Sequence, residues 1–222
     1  MGKRIIAYLI AGVAAISGLG VAPASAADAT LNVAHGIPGV DVDVCVDGSV
    51  AIPDFKPGEV VSGVALPAGS YDVKIVAAGQ GCAGAAVLEA DGVGLAAGRN
   101  YTAIAHMTSD GKPTLGLFVN EAKPVRRGTA RVQVRHTAAA PEVNVWANGA
   151  PLVRDLANGE TATAVVRKGI YAAWVSLPGE FAPVIGPSVL QLKRGHAYQV
   201  YAWGDASAGY DFAVVDVAVG IR

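Results

Sequence analysis

Cysteine is nearly absent: Cys45 and Cys82 are the only two in 222 residues. They are too far apart for a Cys-x-x-Cys spacing, so nothing supports a redox pair. Signature motifs are also missing. There is no Gly-x-Ser-x-Gly elbow, no His-Glu-x-x-His, no phosphate loop and no Rossmann glycine pattern. Outside the first 26 residues, no window has the 3.6-residue periodicity of a helix. Strong charge of either sign is absent too, with eighteen acids against seventeen bases. Without a basic excess, an exported chain is not expected to bind nucleic acid. No cofactor and no metal site are expected, because His35 and His136, which occupy matching strand ends, lack the further ligands a metal needs. Each is read instead as a histidine that holds a turn through hydrogen bonds.

The chain does carry a secretory start. Lys3 and Arg4 precede the apolar run Ile5 to Val21, and Ala24-Ser25-Ala26 offers a small-x-small cleavage site. Residues 1–26 are therefore expected to be a signal peptide, and the mature protein is expected to be extracellular or associated with the cell wall. Glycines at 12, 18 and 20 interrupt the run and argue against a membrane anchor. The closing stretch VVDVAVGIR is too short to span a bilayer, so no membrane span is expected in the mature chain. Export also places the two cysteines in an oxidising compartment. There an even count favours a Cys45–Cys82 disulfide over two buried free thiols.

A repeat organises the rest. LNVAHGIPGVDVDVCVDG, from Leu31, aligns with VQVRHTAAAPEVNVWANG, from Val132. DFKPGE aligns with DLANGE, LPAGSYDVKIV with VRKGIYAAWVS, and LAAGRNYTAIAH with LKRGHAYQVYAW. Order is kept throughout, so two similarly folded domains are expected at 27–122 and 128–222, joined by a linker at 123–127. Within each copy, short runs of Val, Ile, Tyr and Thr alternate with polar or small residues. Pro-Gly, Asp-Gly and Asn-Gly punctuate them about every ten residues. The expected fold is all-β: two β-sandwiches in tandem, immunoglobulin-like or transthyretin-like in size. The linker strip EAKPVRRG suits an exposed joint.

The segment VDVDVCVDG, Val40 to Gly48, invites a calcium-loop reading, but a calcium loop needs glycine at its sixth position, and here that position is Val46. On a strand, Val40, Val42, Val44 and Val46 share one face and Asp41, Asp43, Cys45 and Asp47 share the other. The second copy keeps the apolar face and replaces the other with Glu142, Asn144, Trp146 and Asn148. A half-buried strand entering a tight turn accounts for this, with the acidic face solvated.

Candidate sites follow from how the copies differ. All three tryptophans lie in the second copy: Trp146 aligns with Cys45, Trp174 with Lys74 and Trp203 with His106. Trp146 and Trp174 are expected on the wet face, as the centre of a ligand or glycan platform or as an interdomain contact. Arg131 and Arg135 share one face of the next strand and are expected to lie near them as secondary contacts for a polyanion. Charge pairing with the acidic first half is the competing role. The function expected is a secreted or surface-associated, non-catalytic binding, adhesion or structural module, with a cell-wall polymer or another surface protein as partner. The alternative is an extracellular hydrolase of wall or matrix polymers, with Asp54 and Glu59 or Asp155 and Glu160 as its paired carboxylates.

The segments VAHGIPGVDVDVCVDG, LPAGSYDV, LAAGRNYTAIAHMTSDGKP, VRHTAAAPEVNVWANG, PVIGPSVLQL and YAWG resemble a family of secreted bacterial proteins, common in actinobacteria, known as domain of unknown function 4397. The resemblance covers nearly all of the chain after residue 26. It implies tandem all-β domains in exported proteins. It implies no established activity, so no residue takes a catalytic role from it.

Overall fold

The computed structural model describes residues 27–222; the expected signal peptide lies outside the described residues. All regular structure in it is β. In chain order the first half has β1 (Ala29–His35), β2 (Val42–Val46), β3 (Ser49–Phe55), β4 (Val60–Leu66), β5 (Gly69–Ala77), β6 (Ala86–Leu95), β7 (Asn100–Met107) and β8 (Pro113–Val119). The second half has β9 (Thr129–His136), β10 (Val143–Ala147), β11 (Ala150–Leu156), β12 (Thr161–Arg167), β13 (Gly169–Ser176), β14 (Ile185–Leu192), β15 (His196–Asp205) and β16 (Gly209–Ala218). Among the described residues no helix is long and apolar enough to cross a membrane.

Each half is a sandwich of two four-stranded sheets. The first half has orders β4-β1-β7-β8 and β3-β2-β5-β6; the second has β12-β9-β15-β16 and β11-β10-β13-β14. Adding eight to every strand number of the first pair gives the second pair, so the sequence repeat is a repeat of topology. In both halves the one parallel pairing joins the first strand to the seventh. The tight turns are those that Asp-Gly and Asn-Gly demand. Asp47 and Gly48 have φ of 49° and 77°, and Asn148 and Gly149 have 49° and 81°. Two consecutive positive φ values match the twist of the flanking strands.

Strand alternation builds the cores. Val42, Val44, Phe55, Ile75 and Leu88 fill the first sandwich. Ala130, Val132, Val134, Val143, Val145, Val175, Tyr198 and Val200 fill the second. The sheets containing β1 and β9 are buried on their other faces as well, because they pack on each other. Ala34 and Ile104 of the first half join Tyr201, Ala213 and Val215 of the second in one apolar cluster. This explains why β9 is buried at every residue from Thr129 to His136. The result is four stacked layers, with the sheets that carry Cys45 and the Trp146–Trp174 pair outermost.

The acidic face of β2 departs from expectation. Asp43 is buried rather than solvated. Its carboxylate accepts hydrogen bonds from Asp54 N at 3.0 Å and Gly79 N at 2.9 Å. In the second half Asn144 accepts from Asp155 N at 2.9 Å. Asp47 accepts from Asp72 N and Asn148 from Ala172 N in the same way. What the two copies share is therefore an acceptor oxygen, which Asp and Asn both supply. Each satisfies a backbone N–H that the strand ladder leaves free at a turn or strand end.

Candidate functional site

The outer sheet of the second half carries an aromatic cluster. Trp146 on β10 and Trp174 on β13 are directly paired across the two strands. Their rings stack with centroids 5.9 Å apart and planes inclined by 8°. Phe181, from the β13–β14 loop, meets both edge-on at 4.9 and 5.2 Å. Edge-to-face contact sets the positive ring edge of one aromatic against the negative face of another. Trp146 Nε1 donates to Ser176 Oγ at 2.9 Å, and that hydroxyl donates in turn to loop carbonyls. The indole orientation is thus held by a neighbour on the same face. Trp174 Nε1 is buried without a partner.

Both indoles are half-buried, and the cluster continues into exposed apolar surface. Phe181 is 59% exposed, Ile170 67% and Val189 76%. Ile170 lies four residues before Trp174 on β13, and Val189 pairs with Ala172 between them, so alternation puts all three on one face. The exposed Arg154 guanidinium sits 5.9 Å from the Trp146 ring centroid, within cation–π range. Strand parity placed Trp146 and Trp174 on the face away from the core, and the structure brings them together there. Phe181 was missed. It lies in an irregular loop, where periodicity carries no signal.

Arg131 and Arg135 are not near this face. Both are buried in the contact between the two sandwiches, Arg131 at 7% exposure and Arg135 at 0%. Arg135 donates to Asn120 Oδ1 at 2.7 Å and Val119 O at 2.9 Å, and also to the Tyr201 hydroxyl. Its guanidinium lies over the Phe118 ring at 4.8 Å and the Tyr201 ring at 5.2 Å. Burial pushes the guanidinium below and the Tyr201 phenol above their ordinary pKa values. Arg131 donates to the carbonyls of Glu121 and Lys123 at 2.9 and 2.7 Å, and its Nε lies 3.0 Å from the Glu121 carboxylate. That last contact is an ion pair away from the hydrogen-bond direction, since Nε makes no hydrogen bond. The expectation of an accessible basic strip is corrected: alternation put the arginines on one face, but that face is covered by the first half.

Trp203 belongs to the same contact. An added Cβ on Gly58 would meet its ring at 2.8 Å, and one on Gly36 would meet its Cβ at 3.2 Å. Two glycines of the first half thus make room for a tryptophan of the second.

The remaining candidates have local roles. His35 Nε2 lies 2.8 Å from Val40 O, and its Nδ1 faces Ile37 N; His136 repeats this with Pro141 O and Ala138 N. Nε2 donates, Nδ1 accepts, and the neutral ring pins the turn as expected. Burial lowers the pKa of His35, His106 and His136. Glu59 Oε2 accepts from Lys56 N at 3.0 Å and Glu160 Oε2 from Ala157 N at 3.1 Å. Asp54 and Asp155 sit at positive φ, 49° and 51°. The recurrence of these carboxylates reflects a shared turn. Among the described residues no group of three or more His, Cys, Asp or Glu side chains could hold a metal ion. Cys45 and Cys82 form the expected disulfide, with Cα atoms 5.8 Å apart.

These features define an all-β protein of two matched sandwiches with an aromatic face on the second. A family model described as "Domain of unknown function (DUF4397)" matches residues 29–146, more than half of the chain, and the chain belongs to that family. The matched span covers the first sandwich and ends at Trp146. A search of curated proteins finds no match.

Proposed function

We propose that this chain is an exported, non-catalytic binding module held at the cell surface by a wall polymer that docks on the outer face of the second sandwich. The observation that carries this reading is the stacked Trp146–Trp174 pair with Phe181 against it, continued by the exposed Ile170 and Val189. A tryptophan buries on the order of 200 Å² when covered, so rings left on an open sheet face favour being covered. Contiguous exposed apolar surface commonly marks an interaction site. Sugar rings present apolar C–H faces that stack on flat indoles, and their hydroxyls stay in water. Arg154 beside Trp146 adds a cation for an acidic polymer. The platform is held by strand pairing and by the Ser176 hydrogen bond, so little ordering entropy remains to be lost on binding.

Co-sedimentation of the purified mature chain with isolated, protease-treated cell walls tests the reading. The natural chain is expected to pellet with the walls, and Trp146→Ala/Trp174→Ala is expected to lose at least tenfold in binding. Retention only on walls that keep their proteins would replace the polymer with a surface protein as partner. Equal pelleting of natural and double-variant chains would overturn the reading.

A further inference from the structure

The second sandwich has an apolar cavity at one end of its core, larger than the space found in the first. A cavity of about 170 Å³ lies between the sheets of the second half. Its lining includes Val132, Ala147, Val166, Tyr171, Ala173 and Leu192. In the first half the space that Leu31, Val46 and Val73 help to line measures only about 50 Å³. The repeat accounts for the difference. Val46 corresponds to Ala147, Val73 to Ala173, Leu31 to Val132 and Leu66 to Val166. All four exchanges remove carbon from the second core. In the opposite sense, Leu190 stands where the first half has Val93, since each pairs with its tyrosine, 171 or 71, and Leu152 stands where it has Ala51.

Close-packed interiors do not keep such space without cost, and unfilled volume destabilises in proportion to its size. No charged side chain lines the cavity. The Tyr171 hydroxyl is directed out of it and donates to Arg167 O at 2.8 Å. A cavity without polar partners does not hold water, and one of about 150 Å³ admits a benzene-sized guest. Exposed Ala150 and Pro151 place its mouth at the β10–β11 hairpin, open to solvent. The cavity lies beneath the sheet whose other face carries the tryptophans: Ala147 follows Trp146 and Ala173 precedes Trp174.

We propose that the second sandwich binds a small uncharged apolar group of about benzene volume in this cavity, entering beside the β10–β11 hairpin. The occupant is a hydrocarbon ring, or the hydrocarbon end of a larger molecule whose polar part stays at the mouth. This site is separate from the aromatic face, which lies on the other side of β10 and β13.

Benzene is the probe. At about ten times its dissociation constant it is expected to raise the melting temperature of the natural chain by about 3 °C. It is also expected to shift the methyl resonances of Val132, Leu190 and Leu192. Ala147→Val and Ala173→Val restore the residues of the first half. Each is expected to melt higher than the natural chain without benzene and to lose most of the benzene-dependent rise. Val132→Leu, which adds one carbon, tests the same space if either larger substitution prevents folding. No rise in the natural chain, or an equal rise in natural and filled chains, would overturn the proposal. An equal rise that disappears in Trp146→Ala/Trp174→Ala would place the benzene on the outer face instead.

Discussion

The two sandwiches share strand order and register but anchor the same loop by different chemistry. In the first, Cys45 on β2 stands opposite Lys74 on β5, and Cys82 in the β5–β6 loop is bonded to Cys45. Lys74 completes the face by pairing with Glu89 at 3.4 Å. In the second, Trp146 stands opposite Trp174, and Phe181 of the β13–β14 loop packs against both rings. A covalent tether and an ion pair in one copy become an aromatic cluster in the other. A disulfide acts largely by restricting the unfolded chain, so it works whether or not the loop buries much surface. An aromatic anchor works only through the surface it covers, and it leaves apolar surface facing out. The outer face of the second copy exposes Ile170, Phe181 and Val189, where that of the first exposes Val50. Inside, the trade runs the other way: the first core keeps Val46 and Val73, and the second has Ala147 and Ala173.

A similar division runs through the contact between the halves. The repeat aligns Arg135 with Ala34 and Tyr201 with Ile104. The first half contributes Ala34, Ile104, the Phe118 ring and two glycines, and the second contributes Arg135, Tyr201 and Trp203. Two identical surfaces could not interlock this way; divergence after duplication supplies the knob and the hole.

Removing the knob should have the largest effect. Arg135→Ala takes a fully buried cation from Tyr201, Asn120 and the Val119 carbonyl, so each loses a charge-assisted hydrogen bond, and the two rings beside it lose their cation contact. A loss of about 3–5 kcal/mol is expected, from the cavity left behind and the lost charge-assisted hydrogen bonds. Calorimetry should then resolve two transitions, one for each sandwich. A single transition at the natural temperature would show that the apolar cluster alone joins the halves.

Cys45→Ala/Cys82→Ala opens a loop with a sequence separation of 37 residues. It should cost about 2–4 kcal/mol, confined to the first sandwich. Hydrogen exchange should speed up in β2 and β5 but not in β10 and β13. Equal acceleration in both halves would mean that the sandwiches unfold as one unit.

Mild acid should weaken both copies together. His35, His106 and His136 are each held neutral by burial, below the ordinary value of 6.5. The unfolded chain therefore takes up protons first as pH falls. Stability from these groups is complete above about pH 6.5 and declines below it, by at most about 1.4 kcal/mol per pH unit for each histidine. Chemical denaturation between pH 7 and 5 measures the slope. His35→Gln should flatten it, and an unchanged slope would assign the acid sensitivity elsewhere.

Phe181→Ala should have the smallest effect on stability, about 1 kcal/mol, because most of the ring is already in water. Its effect on wall binding should be larger than its effect on melting. The reverse result would make loop anchoring, which the cluster shares with the disulfide, its main role.

Much of this was legible in the residues. The alignment of Leu31–Gly48 with Val132–Gly149 foretold the matched topology, because the same pattern of alternation and turns dictates the same strands. Asp47-Gly48 and Asn148-Gly149 foretold tight hairpins, because few other residues tolerate two positive φ values in succession. Parity put Trp146 and Trp174 on the face away from the core, since side-chain direction on a strand depends only on counting by two. What lies against each face is not a local property. Alternation grouped Arg131 with Arg135, but only tertiary packing decided that the first sandwich covers them. The same holds for Asp43, whose carboxylate is buried because two backbone N–H groups from distant turns converge on it. It holds too for Phe181, brought onto the indoles by a loop without a repeating pattern, and for the cavity, which reflects how much volume several strands supply at one point. Neighbours along the chain determine direction and turn; neighbours across space determine burial, and burial decided which of the candidate residues remain open to a partner.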